Sequence, residues 1–326
     1  MSAPAAQAGA PMRAVLTCFL PFAVGYLLSY VYRTVNAVVG PRLAGELGID
    51  VAALGVLTSA YFAGFVLLQI PAGVLLDRYG PRRVQAVLLI FAAAGAMAFA
   101  TSTTLTSLAL SRGLIGVGVA TCLMSGFKAN TLFWPAERLG FANGVLMAFA
   151  GIGGALGTLP VTWLADAVGW RGVFWCLASC TLVLSAIVWF VVPDRRQPGA
   201  LDLAEALDGV RRIFTSRQFW YVVPLSAVTQ SVFQAYHTLW TAPWLIDVAG
   251  VAPRDVPVAM LIVVLGIIPG YLISGYVTDT LARRGVDKGK LFAAYTAAFI
   301  LLQGVLVSGP SHGAIALWVG YVVLGT

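Results

Sequence analysis

Long apolar runs, separated by short gaps that hold most of the charge, constrain this chain more than any other feature. They lie at about 14–40, 52–76, 84–102, 105–132, 140–164, 171–192, 219–245, 256–281 and 290–308. Crossing a hydrocarbon core takes about 20 residues of helix, so each run is long enough to span a membrane. Only 10% of the 326 residues are charged and 60% are hydrophobic, against about 25% charged in a soluble domain. The expected fold class is therefore all-α, a polytopic transmembrane helix bundle. A further run begins near Ala314 and is still apolar at Thr326; about 12 residues cannot cross a bilayer, so the sequence is expected to stop inside a span.

The charge pattern excludes other classes. The net charge is +7, but Lys and Arg are scattered over short loops and form no continuous basic face, so no nucleic-acid partner is expected. With the N-terminus placed in the cytoplasm, the inner segments collect Arg13, Arg78, Arg82, Arg83, Arg138, the arginines of 195–217, and Arg283, Arg284, Lys288 and Lys290. The outer loops hold Arg42, Arg171 and Arg254. That asymmetry predicts a multi-pass protein of the cell inner (plasma) membrane with a cytoplasmic N-terminus. Cys18, Cys122, Cys176 and Cys180 all fall in apolar runs, where they read as packing residues. No metal or cofactor framework is visible. An enzyme is not expected, because His237 and His312 lack metal-ligand spacing.

Pro193–Gln218 is the long polar interruption. In it Leu203, Leu207, Val210 and Phe214 share a face, as in a helix lying on the inner membrane surface. The expected organisation is a bundle over 1–192, a cytoplasmic linker over 193–218 and a partial second bundle over 219–326. A repeat supports it: Gly275 and Asp279 stand 202 residues after Gly73 and Asp77. Parallel repeats are a transporter architecture with the substrate site at their interface.

Three basic residues remain inside the spans: Arg33, Arg112 and Lys128. A guanidinium near the bilayer centre costs about 2.5–3.5 kcal/mol on insertion scales, so each needs a reason. Residues three and four apart share a helix face. Tyr26, Ser29, Arg33 and Asn36 line one face of the first span. Thr121, Ser125 and Lys128 do so on the fourth, and Ser226, Gln230, Gln234, His237 and Thr241 on the seventh. Polar stripes on spans face a bundle interior or aqueous cavity. Arg112 and Lys128 are sixteen residues apart, about 160° around a straight helix. Lys128 is therefore assigned to the pathway near its inner end, and Arg112 to a structural or gating contact. Arg33, about 12 Å from the outer end at Pro41, is expected to be a fixed cation in a wet cavity, where a small anionic substrate accepts its forked hydrogen bonds. The alternative is an arginine bonded to backbone carbonyls of a neighbouring helix. Tyr30 and Asn36 join Arg33 as candidates. Gln230 and Gln234 are oxyanion donors or satisfy each other, and His237 is a proton carrier or a hydrogen-bonding cavity residue. Gly151, Gly153, Gly154 and Gly157 are read as sites of close helix packing.

"GVLLDRYGPRR" resembles the signature loop between helices 2 and 3 of the major facilitator superfamily, matching at Gly73, Asp77, Arg78, Gly80, Arg82 and Arg83. "SRGLIGVG", with Arg112 and Gly116, is similar to the helix 4 motif, and "PAERLGFANG" and "DAVGWRGVF" are similar to later loops. The resemblance implies two six-helix halves, the second incomplete here, with helices 1, 4, 7 and 10 lining a cavity. It also implies conformational roles for Gly73, Asp77, Arg78, Arg82 and Asp279, the carboxylate of the first loop facing a helix 11 that lies beyond Thr326. "YVYRTVNAVVGPRLAGELGI" is most similar to the anion:cation symporter and organophosphate exchanger branches. Tyr30, Arg33 and Asn36 match, but Tyr32 and Val119 stand where the symporters carry carboxylates, and Ala235 where the exchangers carry a second arginine. The implied function is a secondary transporter of a small, organic anion, expected as a monomer, driven by a proton or sodium ion or by exchange. The competing readings are an exporter of drug-like or cationic compounds and a non-transporting sensor.

Overall fold

The computed structural model describes residues 15–194, 203–235, 241–252 and 255–308. All regular structure there is helical: α1 (Leu20–Leu47, led by a π turn at Val15–Phe19), α2 (Val51–Thr101), α3 (Leu105–Val119), α4 (Cys122–Phe133), α5 (Leu139–Leu156), α6 (Leu159–Val191), α7 (Leu203–Thr215), α8 (Arg217–Ala235), α9 (Thr241–Asp247), α10 (Val256–Leu265), α11 (Ile267–Arg283) and α12 (Lys288–Val307).

Local chemistry explains the boundaries. Pro21 sits in the first turn of α1, and Gly48 ends it in the left-handed region at φ 63°, the usual asymmetry of helix ends. The Asp50 carboxylate caps α2 by accepting the Ala53 N–H at 2.8 Å, and Thr104 and Ser107 form a capping box on α3. A straight α2 would be about 75 Å long, more than twice the core of a bilayer. Gly80, at φ 77° and ψ 161°, turns the chain back instead. Leu68, Leu75 and Leu76 consequently pack against Val84 and Leu88 across the turn. Gly169, at φ 71°, breaks α6 in the same way. Both glycines fall in sequence gaps between predicted spans: the two limbs of α2, 51–79 and 81–101, are each long enough to cross, whereas the limb of α6 before Gly169, 159–168, is too short to cross alone and only 170–191 has span length.

Contacts divide the chain into two compact units: residues to Leu139 with 156–201, and 140–155 with residues from Asp202 onward. In the first unit, α3 is gripped by both limbs of α2. A Cβ on Gly116 would overlap the Tyr61 carbonyl on one limb, and one on Gly118 would overlap Ala92 on the other. Small residues of this kind let helices approach where lipid supplies no hydrophobic drive. The aromatic centre of this unit is Phe99, Trp170 and Phe174, with Phe99 and Phe174 centroids 4.2 Å apart.

In the second unit α5 packs on α11. The Asp279 carboxylate accepts the Phe141 N–H at 2.7 Å, in the first turn of α5 where a negative charge is favoured. Gly275 and Gly144 permit the approach: a Cβ on Gly275 would lie 2.7 Å from the Gly140 carbonyl oxygen, and one on Gly144 would lie 2.5 Å from that of Tyr271. This is why 140–155 groups with the later residues, whereas the sequence reading placed it in a bundle over 1–192. Close packing on α5 occurs at Gly140 and Gly144; a Cβ on Gly154 would meet nothing within 4 Å. Six helical stretches among the described residues are long and apolar enough to cross a membrane. The chain is a multi-pass membrane protein.

Candidate functional site

One turn of α1 and the first limb of α2 face each other across an open cleft of about 900 Å³, walled by Arg33, Asn36, Thr58, Ser59, Leu54 and Phe62. The α1 residues arrive there through the stripe already visible in the sequence. Thr58, Phe62 and Phe65, four and three residues apart, share one face of α2, and Arg33 lies against that face.

Arg33 sits among aromatic rings. Its guanidinium carbon lies 4.6 Å from the Tyr30 ring centroid, 5.4 Å from that of Phe65 and 5.6 Å from that of Phe62. Its Nε is buried and, among the described residues, makes no hydrogen bond, and no carboxylate among them pairs with the guanidinium. Aromatic faces hold the cation at about 0.5–2 kcal/mol each, comparable in sum to the insertion cost.

Asn36 connects the cleft to the interior. Arg112, 1% exposed, reaches from α3 to donate Nη1–H to the Tyr32 carbonyl at 3.0 Å and Nη2–H to Asn36 Oδ1 at 2.6 Å. The Phe99 and Phe174 rings lie 5.1 and 5.4 Å from it. Asn36 Nδ2–H is donated to Thr58 Oγ1 at 2.9 Å, and the Thr58 hydroxyl to the Leu54 carbonyl at 3.1 Å. Tyr32 points elsewhere, to Thr181 of α6 at 2.9 Å.

The other candidates are distributed as follows. Tyr26 is buried beside Tyr30, ring centroids 5.2 Å apart, and Ser29 spends its hydroxyl on the Tyr26 carbonyl. Lys128 is held by Asp77 at 2.8 Å, so its charge is neutralised within the first unit, away from the Arg33 cleft. Ser125 is fully buried, its hydroxyl without a partner among the described residues, as is that of Thr121. Gly73 has open space around it. Arg78 leans toward the Tyr79 ring, and Arg82 donates to the Trp189 carbonyl at 2.8 Å. Gln230 is exposed on α8 of the second unit. Gln234 lies on α8, but its side chain, His237 and the span from Ala314 lie outside the described residues. The sequence reading missed Thr58, Ser59, Phe62 and Phe65; their spacing on α2 was the available signal.

The Pro41 end of α1 is tied to the Gly169 corner. Arg42 pairs with Asp166 at 2.5 Å, and Glu46 binds both Arg171 and the Trp170 indole N–H. Hydrogen bonding to Arg171, then to Trp170, holds the Glu46 carboxyl below its ordinary range.

The family model described as Major Facilitator Superfamily matches residues 22–326. Curated relatives include a probable sulfoacetate transporter of Cupriavidus necator, 24% identical over 79% of this chain and 64% of its own length. Another is a chloramphenicol resistance protein of Streptomyces lividans, 29% identical over 73% of this chain and 61% of its own length. The chain thus spans less than two thirds of either. Among solved structures, a bacterial homologue of the human lysosomal transporter Spinster, in an inward-facing and unoccupied conformation, superposes with a TM-score of 0.62. It is 19% identical, with 98% of this chain and 74% of the other covered.

Proposed function

Because this chain belongs to the Major Facilitator Superfamily, we propose that it is part of a secondary transporter that carries a small organic anion by alternating access. Arg33 is the anion anchor, Asn36 its companion donor, and Phe62 and Leu54 the apolar wall against which the organic part rests. The observation that carries this reading is a guanidinium on a cleft wall, beside three aromatic rings and with no counter-ion among the described residues. The sulfoacetate relative is consistent with it. Tyr30 supports the Arg33 guanidinium, and Tyr26 packs behind Tyr30. Gly73, Asp77, Arg78, Arg82 and Asp279 serve the conformational change, and the Asp77–Lys128 pair moves Lys128 from the substrate group to that one. Gln230, Gln234 and His237 would act from the second half. We further propose a plasma-membrane location with a cytoplasmic N-terminus.

The test is uptake of labelled sulfoacetate, glucuronate and benzoate by liposomes containing the full-length protein, its Arg33→Gln variant or no protein. Uptake of at least one anion by wild type and its loss in Arg33→Gln, at equal protein content, is expected. Equal uptake by both would refute the assignment. The chloramphenicol resistance relative favours a second reading, export of a neutral or cationic drug. It predicts that Arg33→Gln leaves drug efflux intact.

A further inference from the structure

A guanidinium has donors and no acceptor. The Asn36 atom 2.6 Å from Arg112 Nη2 must therefore be the amide oxygen, which fixes an orientation that an isolated amide leaves open. The nitrogen then faces away from Arg112. One of its hydrogens goes to Thr58 Oγ1 at 2.9 Å, and the Thr58 hydrogen is itself committed to the Leu54 carbonyl. The second Asn36 N–H has no acceptor among the described residues, and Asn36 lies on the cleft wall. Arg112 cannot readily release its grip. It is 1% exposed, is anchored at the Tyr32 carbonyl one turn earlier on α1, and lies against Phe99 and Phe174.

We propose that Arg112 is a positioning residue that selects the polarity of the cleft: it turns the Asn36 amide so that an N–H, in place of the carbonyl oxygen, stands beside Arg33. Residues three apart on a helix are surface neighbours, so Arg33 and Asn36 together present donors. A buried cation that never touches the cargo thus sets the sign of the ligand. A cleft with the amide reversed would place an acceptor next to the bound oxyanion, where the two lone pairs repel. The inference rests on the anion reading of the Arg33 cleft.

Asn36→Asp and Arg112→Gln test it in the full-length protein. Asn36→Asp keeps an oxygen for Arg112 and puts a second one on the cleft side. The melting temperature should hold or rise while the KM for sulfoacetate uptake increases at least tenfold. In Arg112→Gln the partner can both give and accept, so the Asn36 amide turns either way. KM should rise about tenfold with kcat within threefold, and the donor-only Arg112→Lys should recover most of the affinity. A wild-type KM in Asn36→Asp, or in a folded Arg112→Gln, overturns the proposal. If Arg112→Gln does not fold, Asn36→Asp decides alone. The melting temperatures of the two single variants and the double variant also report the contact without any ligand; additive shifts overturn it, because contacting residues couple. Failure of the anion reading looks different: Arg33→Gln then transports like wild type.

Discussion

Replacing Arg33 by lysine separates a fork from a point charge. Both side chains carry the same charge, but only the guanidinium can place two parallel N–H groups on one carboxylate or sulfonate. The Tyr30, Phe65 and Phe62 rings, with centroids 4.6, 5.4 and 5.6 Å from the guanidinium carbon, hold that group at the cleft wall. Lysine keeps one charge-assisted bond and loses the other, worth about 1.5–3 kcal/mol. At about 1.4 kcal/mol per decade, the dissociation constant should rise roughly tenfold to a hundredfold. Arg33→Gln, which also loses the charge, should bind more weakly still. The assay is calorimetric titration of detergent-solubilised full-length protein with sulfoacetate or whichever tested anion the wild type transports. Its control is the ligand-free melting temperature, which shows that the aromatic nest is intact. A lysine variant within twofold of wild type would refute the fork, and a lysine variant as weak as glutamine would mean that charge contributes nothing at this position.

The Glu46 clamp should show its contribution in pH. Its carboxyl is held below the ordinary range, so the stability it adds is present above the unfolded value of about 4.3 and is lost as pH falls through the lower folded value. The melting-temperature difference between wild type and Glu46→Gln should therefore stay flat from about pH 8 to 5 and shrink below about pH 4; growth of the difference in acid would contradict the assignment. Asp279→Ala removes the acceptor of the Phe141 N–H and should cost about 0.5–2 kcal/mol, the range for a lost helix cap. Hydrogen exchange should accelerate first at the start of α5, and unchanged protection there would rule out the capping role.

Helices, membrane crossings and chain reversals were legible in the order of residues because they depend on near neighbours. Apolar runs of span length, Gly80 and Gly169 in the gaps between them, and the i, i+3, i+4 line from Tyr26 to Asn36 are all local facts. The stripe also placed Arg33 beside Asn36, since helical geometry alone makes them neighbours. Other features could be decided only by packing between segments far apart in sequence. Arg33 meets Phe62 and Phe65 because two helices cross. Lys128 loses its free charge to Asp77, 51 positions away. Residues 140–155 join the later half through Asp279, 138 positions from Phe141. Arg112 finds no carboxylate among the described residues and turns instead to one carbonyl and one amide on α1. A side chain's periodicity says which face it occupies, but the partner that decides its charge and orientation comes from another helix, and only the assembled bundle supplies it.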